Sequence, residues 1–270
     1  MTPNGSDFRS KYGPWGIVAG ASEGLGAEYA RQLAANGIHV VPVARRQTLL
    51  DELAGELEAQ HGVEVRPVSL DLADPDAASL LRERTRDLEV GLVVYNAALS
   101  PIGPFLEQDL DELLRVLDVN CRAPLMLLHE FGRDMLTRGR GGLLLVSSMS
   151  GLQGSPLLAT YAASKAFDLV LGEALWDELR GRGVDVLAFC AGATRTPNYE
   201  ASRPRRPPRL APAVMEPAAV VSESLERLGK APSGVAGRGN RVASFFMHRL
   251  LPRRVAVEIM GRTTRALYSK

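Results

Sequence analysis

Residues 143–179 read LLLVSSMSGLQGSPLLATYAASKAFDLVLGEALWDEL. The first four residues form an apolar run whose length is typical of a strand that is buried on both faces. In the second half the apolar period changes to that of a helix, where Tyr161 and Lys165 are four residues apart and therefore share one face. The stretch thus predicts a strand that ends at Ser147-Ser148, a short loop and a helix.

Ser148, Tyr161 and Lys165 together have the chemistry to move a proton to or from an oxygen atom. Ser148 stands at the carboxyl end of the predicted strand, where its hydroxyl can hold a substrate oxygen. A free phenol has a pKa of about 10, and a neighbouring cation lowers it by favouring the phenolate. Lowering the pKa of the phenol to about 7 requires roughly 4 kcal/mol of differential stabilisation. Lys165 is the only charge that local spacing places to contribute. A lone Tyr-x-x-x-Lys is more often a surface tyrosine above a solvated lysine, so the rest of the chain must decide.

Composition narrows the class of protein. The chain has 270 residues, 46% of them hydrophobic, which suits one α/β domain over residues 1–270. Lysine and arginine number 32 against 31 acids, so no global charge favours nucleic acid as a partner. Cys121 and Cys190 cannot build a disulfide framework, residues 1–12 lack the apolar core of a signal peptide, and no apolar run approaches ~18 residues. We therefore expect a soluble cytoplasmic protein. The histidines lack metal-ligand spacing, which argues against a metal site: they are His39, His61, His129 and His248.

A glycine-rich turn follows the first predicted strand, residues 15–19. The turn, residues 20–26, reads Gly-Ala-Ser-Glu-Gly-Leu-Gly, and a helix continues through Ala35. Strand, glycine turn and helix form the context of a dinucleotide fingerprint, because glycines let the backbone approach a pyrophosphate and the helix N-terminus faces its charge. The spacing Gly-x-x-x-Gly-x-Gly is not the best-known one. Taken alone, it fits a plain tight turn equally well.

The second predicted strand, residues 39–44, ends in Arg45-Arg46. In a dinucleotide fold an acid at this point accepts from the ribose 2′-hydroxyl, whereas arginine suits a 2′-phosphate. No acid stands here, so the pair favours a phosphorylated ribose. The alternative is an exposed arginine pair that opens a helix.

Strands and helices alternate through the rest of the chain. We predict strands at 63–69, 90–95 and 184–189, and helices at 48–60, 75–87 (with Asp74 as N-cap), from Asp109 or Asp111 onward, and at 217–228. Six strands with intervening helices predict a doubly wound parallel sheet with helices on both faces. Ligands bind beyond the carboxyl ends of such strands. Six segments follow a strand directly: Gly20–Gly26, Arg45, Asp71, Asn96, Ser148 and Gly192.

With these motifs the sequence resembles the short-chain dehydrogenase/reductase family over about residues 13–230, which implies a Rossmann fold and NADP(H) as cofactor. The resemblance implies a catalytic tetrad of Asn120, Ser148, Tyr161 and Lys165, with Ser148 thirteen residues before Tyr161 as is usual there. Tyr161 would be the general acid or base, Ser148 would orient the substrate, Lys165 would favour the phenolate and bind the ribose, and Asn120 would support a water-mediated proton path. The implied cofactor-binding residues are Gly20, Ser22, Glu23, Gly24, Leu25, Gly26, Arg45, Asp71, Leu72, Asn96, Ala97, Tyr161, Lys165, Gly192, Thr194 and Thr196.

The chain departs from the family pattern in its loops and at its end. Ala19, Ala98 and Ala191 replace a threonine, a glycine and a proline that are usual there. We also expect the family's final strand to be absent, because its Val-Asp-Gly-Gly ending is missing. The tail instead looks similar to those of hydroxysteroid and long-chain 3-ketoacyl reductases.

These observations predict an NADP(H)-dependent oxidoreductase that interconverts a ketone or aldehyde and an alcohol. One alternative is a non-catalytic dinucleotide-binding sensor or scaffold on the same fold, although such proteins usually lose the tyrosine or the lysine. Another is an epimerase or dehydratase of the extended type, which usually carries Gly-x-x-Gly-x-x-Gly instead.

The last part of the chain indicates how the substrate pocket is walled. Residues 194–215 form a loop rich in proline and arginine, which we expect to shape it, and residues 235–270 form a helical tail. From Arg238 to Lys270 there are eight basic residues and one acid, interleaved with apolar residues that include Phe245-Phe246. Such a segment should bury something: its own cleft, a second subunit or an anionic membrane surface. We favour a monomer or homodimer whose tail folds back on the protein, rather than a tail that contacts a membrane. We also expect a bulky apolar carbonyl or alcohol substrate.

Overall fold

A computed structural model describes residues 5–202 and 214–268. Within them seven strands form one sheet in which all neighbours are parallel. The strands are β1 (Trp15–Ala19), β2 (His39–Ala44), β3 (Val68–Ser69), β4 (Val90–Tyr95), β5 (Gly141–Ser148), β6 (Val184–Ala191) and β7 (Ser233–Val235). Their spatial order is β3-β2-β1-β4-β5-β6-β7, so the strand order reverses between β1 and β4.

Helices cover both faces of the sheet. They are α1 (Gly5–Tyr12), α2 (Gly24–Ala35), α3 (Gln47–His61), α4 (Ala77–Arg84), α5 (Leu110–Leu117), α6 (Ala123–Arg138), α7 (Ala159–Leu179), α8 (Pro197–Ala201), α9 (Pro217–Arg227), α10 (Arg238–Phe245) and α11 (Arg253–Tyr268). Side chains of α1, α2, α3 and α9 build one core, and those of α4, α6 and α7 build the other. The predicted doubly wound fold is therefore confirmed.

The central strands are buried on both faces, as their apolar runs predict. Along β1, Val18 packs into the first core, whereas Ile17 and Ala19 pack into the second, and all three are fully buried. Alternate side chains of a strand point to opposite faces, so only a strand that is covered on both sides needs an uninterrupted apolar run. This burial holds the strand ends, and the loops that follow them, in fixed positions.

The expectation of six strands without a final one was wrong. A short β7 pairs with β6, with Ala188 opposite Ser233 and Cys190 opposite Val235, and Ala188 N donates to Pro232 O at 3.0 Å. Three residues are too few to show a strand period, which is why the sequence concealed this strand.

Several element boundaries also needed correction. The strand expected at 63–69 is reduced to β3 and one isolated bridge between Val40 and Val65. Asp74 is not the N-cap of the next helix, because its carboxylate accepts from Asp76 N within a turn and α4 begins only at Ala77. The N-terminal helix α1 was not predicted at all.

The long helix expected from Asp109 or Asp111 is two helices. Asp109 is the N-cap of α5, since its carboxylate accepts from the N–H groups of Asp111 and Glu112 at 2.8 and 3.1 Å. A π-helical turn, Asp118–Arg122, then separates α5 from α6 and contains Asn120. Such turns are common at functional sites because they redirect a side chain. No helix among the described residues is both long and apolar enough to cross a membrane.

Candidate active site

A cleft of about 950 Å³ runs along the carboxyl ends of the strands. All but two of the residues that the sequence proposed for the site line this cleft, so the strand-end argument places them together as expected. The two that do not line it are Gly26 and Asn120. The proposed residues that line it are Gly20, Ser22, Glu23, Gly24, Leu25, Arg45, Asp71, Leu72, Asn96, Ala97, Ser148, Tyr161, Lys165, Gly192, Thr194 and Thr196.

Gly26 lies beneath the glycine turn and allows it to close. A β-carbon on Gly26 would lie 1.9 Å from Gly20 O, so no other residue fits there without moving the backbone. Asn96 Nδ2 donates to the same Gly20 oxygen at 3.1 Å, which ties the end of β4 to the turn. The result is a backbone surface without side chains at the N-terminus of α2, and such a surface fits the pyrophosphate of a dinucleotide.

Arg46 fastens the outer side of this turn. Its Nη2 donates to Ser22 Oγ at 2.8 Å and pairs with Glu23 Oε2 at 2.9 Å. Arg45, beside it, is exposed and lines the cleft. The sequence singled out Arg45 and missed the contact of Arg46, although both belong to the basic pair that ends β2.

Asp71 forms the opposite side of the same end of the cleft. Its Oδ1 accepts from Ala73 N at 3.0 Å and its Oδ2 accepts from Arg115 Nη2 at 2.5 Å. Burial would raise the pKa of the Asp71 carboxyl, but the Ala73 N–H, Arg115 and the charge of Arg45 outweigh burial and hold this pKa below its ordinary value. The carboxylate is therefore charged and oriented at neutral pH. Arg115, from α5, was not foreseen because nothing local in the sequence links it to Asp71.

The other end of the cleft contains Tyr161, Lys165 and Ser148. Tyr161 is half-buried, and Ser148 Oγ accepts from Ser150 N at 3.1 Å. Lys165 Nζ donates to Val146 O at 2.8 Å and to Asp168 Oδ2 at 2.9 Å. Burial by itself would lower the pKa of Lys165, but the attraction of Asp168 raises it above its ordinary value. Lys165 is therefore an ammonium at the wall of the cleft.

Asn120 is fully buried behind this end of the cleft. Its Oδ1 accepts from Leu99 N at 2.8 Å, and its Nδ2 donates to Leu99 O at 2.9 Å and to Ser164 Oγ at 2.9 Å. Both amide hydrogens are thus used, and they join the loop after β4 to α7. A polar residue in an apolar helical run signalled this buried amide in the sequence, but not its partners.

The outer wall of the cleft comes from α8 and α11. Asn198, Tyr199 and Ser202 line it from the predicted loop 194–215, of which residues 203–213 lie outside the described part of the chain. Thr194 pairs with Met215 in an isolated bridge that closes the described ends of this loop. The tail helix α11 contributes five residues to the wall, namely Met260, Thr263, Thr264, Leu267 and Tyr268.

A comparison of the whole sequence with known protein families agrees with the geometry of the cleft. The family model for short chain dehydrogenases matches residues 15–207, which begin at the start of β1 and extend past α8. The chain belongs to the short-chain dehydrogenase family. The family prediction made from the motifs is confirmed, and the protein is an oxidoreductase of a class that binds a nicotinamide dinucleotide.

Two relatives of this short-chain dehydrogenase are named as enzymes of the kinds whose tails resemble its own. It is 38% identical over 235 residues to a 7β-hydroxysteroid dehydrogenase of Clostridium sardiniense, which covers 87% of this chain and 90% of the relative. It is 34% identical over 250 residues to a very-long-chain 3-oxoacyl-CoA reductase of Laccaria bicolor, which covers 90% of this chain and 72% of the relative. These similarities confirm the kind of family member that the sequence predicted.

A solved structure resembles the short-chain dehydrogenase over nearly its whole length. That structure, described as giving insights into 7β-hydroxysteroid dehydrogenase stereoselectivity, has a TM-score of 0.88 and 32% sequence identity, and the match covers 96% of this chain and 99% of the other. The coverage includes the C-terminal segment, so the chain shares its fold beyond the residues that the family model matches.

Proposed function

We propose that the protein is an NADP(H)-dependent oxidoreductase that interconverts a ketone or aldehyde and an alcohol on a bulky, largely apolar substrate. One observation carries the proposal: Ser148, Tyr161 and Lys165 line the same cleft as the glycine turn. A substrate oxygen held at Ser148 would therefore lie in the space that a dinucleotide bound at the turn reaches.

Each of these three residues has a separate task. Ser148 Oγ accepts from Ser150 N, which orients the hydroxyl and leaves its hydrogen for a substrate oxygen. Tyr161 gives or takes the proton at that oxygen. Lys165, held by Val146 O, keeps a positive charge four residues from Tyr161 on the same helix face, where it favours the phenolate. The nicotinamide, when bound, supplies or accepts the hydride.

The preference for NADP(H) rests on the basic pair after β2. Arg45 is exposed at the cleft, where a ribose phosphate can reach it. The neighbouring acid, Glu23, is paired with Arg46, so it does not stand free to repel a phosphate. An arginine suits a phosphate because its planar group donates two parallel hydrogen bonds.

The substrate class follows from the wall beyond Tyr161. The apolar side chains of Ile102, Leu158, Met260 and Leu267 line the cleft together with hydroxyls such as that of Tyr199. The charged side chains that line it belong to Lys165 and to the residues around the glycine turn and Asp71, namely Glu23, Arg45, Arg46, Asp71 and Arg115. A large uncharged surface with hydroxyl groups suits an extended apolar molecule that carries few polar groups. The names of the relatives, a hydroxysteroid dehydrogenase and a 3-oxoacyl-CoA reductase, support this class.

The proposal is tested by following NADPH absorbance with ketones graded by chain length and ring count, ring ketones of the steroid class included. Tyr161→Phe should reduce turnover by about 10²–10⁴-fold, because it removes the general acid. Cofactor binding, measured by quenching of tryptophan fluorescence, should stay nearly unchanged. Tyr199→Phe is the comparison variant: it removes a hydroxyl of the substrate wall and should change the KM for the ketone while kcat stays nearly unchanged. More than roughly a tenth of wild-type activity in Tyr161→Phe would refute the assignment, and cofactor binding without turnover on any ketone would favour the sensor or scaffold alternative.

A further inference from the structure

A carboxylate lies behind the Lys165 ammonium, three residues further along α7. Asp168 Oδ2 accepts from Lys165 Nζ at 2.9 Å, and the two side chains are 1% and 2% exposed. The other carboxylate oxygen, Oδ1, is buried and has no hydrogen-bond partner in residues 5–202 and 214–268. A buried acid with an unsatisfied oxygen destabilises a fold unless its charge is compensated. Within the core, the compensation for Asp168 is Lys165.

The contacts of Lys165 determine where its ammonium points. Of the three N–H bonds, one is donated to Val146 O at 2.8 Å and one to Asp168. The third remains, and Lys165 is part of the cleft wall. Val146 O and the Asp168 carboxylate therefore accept two of the ammonium hydrogen bonds on the side away from the cleft, and one N–H remains for the cleft.

The other titratable groups around the pair stay neutral over the working range of pH. Burial, followed by the charge of Asp168, raises the pKa of Cys121 to about 11 and places that of Tyr95 well above its ordinary value. Burial also raises the pKa of Cys190 to about 11. Burial also raises the pKa of the Asp168 carboxyl above its ordinary value, and the charge and hydrogen bond of Lys165 oppose that rise. Lys165 and Asp168 therefore determine each other's charge in this part of the core.

We propose that Asp168 is a positioning residue that keeps the Lys165 ammonium charged and aimed at the cleft. The inference rests on the proposed function, in which Lys165 acts on Tyr161 and on the cofactor. It goes beyond that function because it makes the tetrad lysine depend on Asp168, a residue of the same helix that is outside the tetrad.

Removal of the carboxylate has a definite consequence for Lys165. Lysines buried without a counter-ion have pKa values of about 5–6 in documented cases. Without Asp168, Lys165 would therefore lose its proton as the pH rises from 6 to 9, and its positive charge would be missing from the cleft. Activity should then fall with rising pH, in addition to any pH dependence of the wild type.

The test measures kcat/KM of Asp168→Asn and of the wild type from pH 6 to 9. We expect the ratio of variant to wild type to fall at least about tenfold over this range, with a rise in the KM for the cofactor at the alkaline end. Asp168→Glu, which keeps a carboxylate, should restore most of the activity at pH 9. The matched control is Asp177→Asn on the same helix, because Asp177 is exposed and pairs only with Arg180 among the described residues. A ratio that stays constant with pH would overturn the proposal.

A second measurement separates this inference from the proposed function, because it needs no turnover. In Asp168→Asn the folded-state pKa of Lys165 is depressed, so the unfolded chain binds more protons and stability rises with pH. The melting temperature of the variant should therefore approach that of the wild type between pH 6 and 9. A wild type that is inactive on every ketone would refute the proposed function, whereas an unchanging difference in melting temperature would refute the role of Asp168. If Asp168→Asn does not fold, Asp168→Ser, which leaves room for a water beside the ammonium, is put through both measurements.

Discussion

Asn240 of the tail helix α10 packs against Gly192 at the cleft, and this contact can be tested by mutation. Gly192 follows β6 at the cleft, and a β-carbon on it would lie 2.5 Å from Asn240 Nδ2. Asn240 is 5% exposed, and its Nδ2 donates to Ala236 O at 2.8 Å. Gly192→Ala should thus displace the Asn240 amide and break this buried hydrogen bond.

The size of each effect follows from these contacts. Gly192→Ala overpacks a close contact, and overpacking costs about 1–3 kcal/mol of unfolding free energy. Asn240→Ala loses one buried hydrogen bond and leaves a carbonyl without its partner, which costs about 1–3 kcal/mol. In the double variant, the methyl group of Ala at 192 occupies space that the amide has left. We therefore expect the double variant to lose less than the sum of the single losses, by about 0.5–3 kcal/mol.

Urea unfolding of the wild type, the two single variants and the double variant measures this coupling. Gly239→Ala is the control, because Gly239 lies on the same helix and a β-carbon there meets nothing within 4 Å. It should leave stability unchanged or raise it by about 0.4–1 kcal/mol. Neutral single variants, or losses that simply add, would show that α10 does not lie on Gly192 and that the tail is not seated there.

Three further predictions concern the cofactor, the tail and assembly. The wild type should prefer NADPH to NADH, and Arg45→Asp should erase or reverse the preference by about tenfold or more in kcat/KM, since it replaces a charge-assisted contact to phosphate; equal values for the two cofactors in the wild type would contradict it. Truncation at Leu251, which removes α11 from the cleft wall but keeps α10, should raise the KM for ring ketones or make the protein insoluble; a soluble protein with unchanged kinetics would show that α11 is a passive appendage. The sequence leaves a monomer and a homodimer open, and a homodimer would cover Leu110 and Leu114 of α5, which are 67% and 49% exposed; light scattering would then give twice the monomer mass and Leu110→Lys with Leu114→Lys should halve it, whereas a wild-type mass of one chain would contradict the dimer.

The fold was largely predictable because its signals are local. Apolar runs of strand length and the change of period before α7 predicted the central strands and their helices, and the sheet is built from them. β7 escaped because three residues show no period, and the π-helical turn Asp118–Arg122 escaped because one extra residue in a helix leaves the apolar pattern nearly unchanged. Local patterns therefore predict long elements and miss short ones.

The site was predictable as far as the ends of the strands determine it. Parallel strands place the residues that follow them at one edge, so residues far apart in sequence could be grouped without any knowledge of side-chain contacts. The partners of those residues could not be found in the same way. Arg115 reaches Asp71 from a different helix, and Arg46, rather than Arg45, fastens the turn. Asp168 is only three residues from Lys165 in the sequence, but its burial depends on β5 and β6, against which α7 packs.

The tail shows why hydrophobicity alone did not reveal how the last helices are held. The two adjacent phenylalanines led to the expectation that part of the tail buries something, and α11 does so, but Phe245 and Phe246 are 57% and 55% exposed within the described residues. Their ring centres lie 5.9 Å apart, edge to face. The buried positions of α11 are small, Ala256, Gly261 and Thr264, and small residues let a helix approach a surface closely. Polar contacts complete the attachment: Arg241 bonds Glu223, and Arg253 donates to Leu152 O at 2.8 Å. Small and polar residues, which have no strong sequence signal, thus contribute to holding the tail, while Phe245 and Phe246 stay exposed.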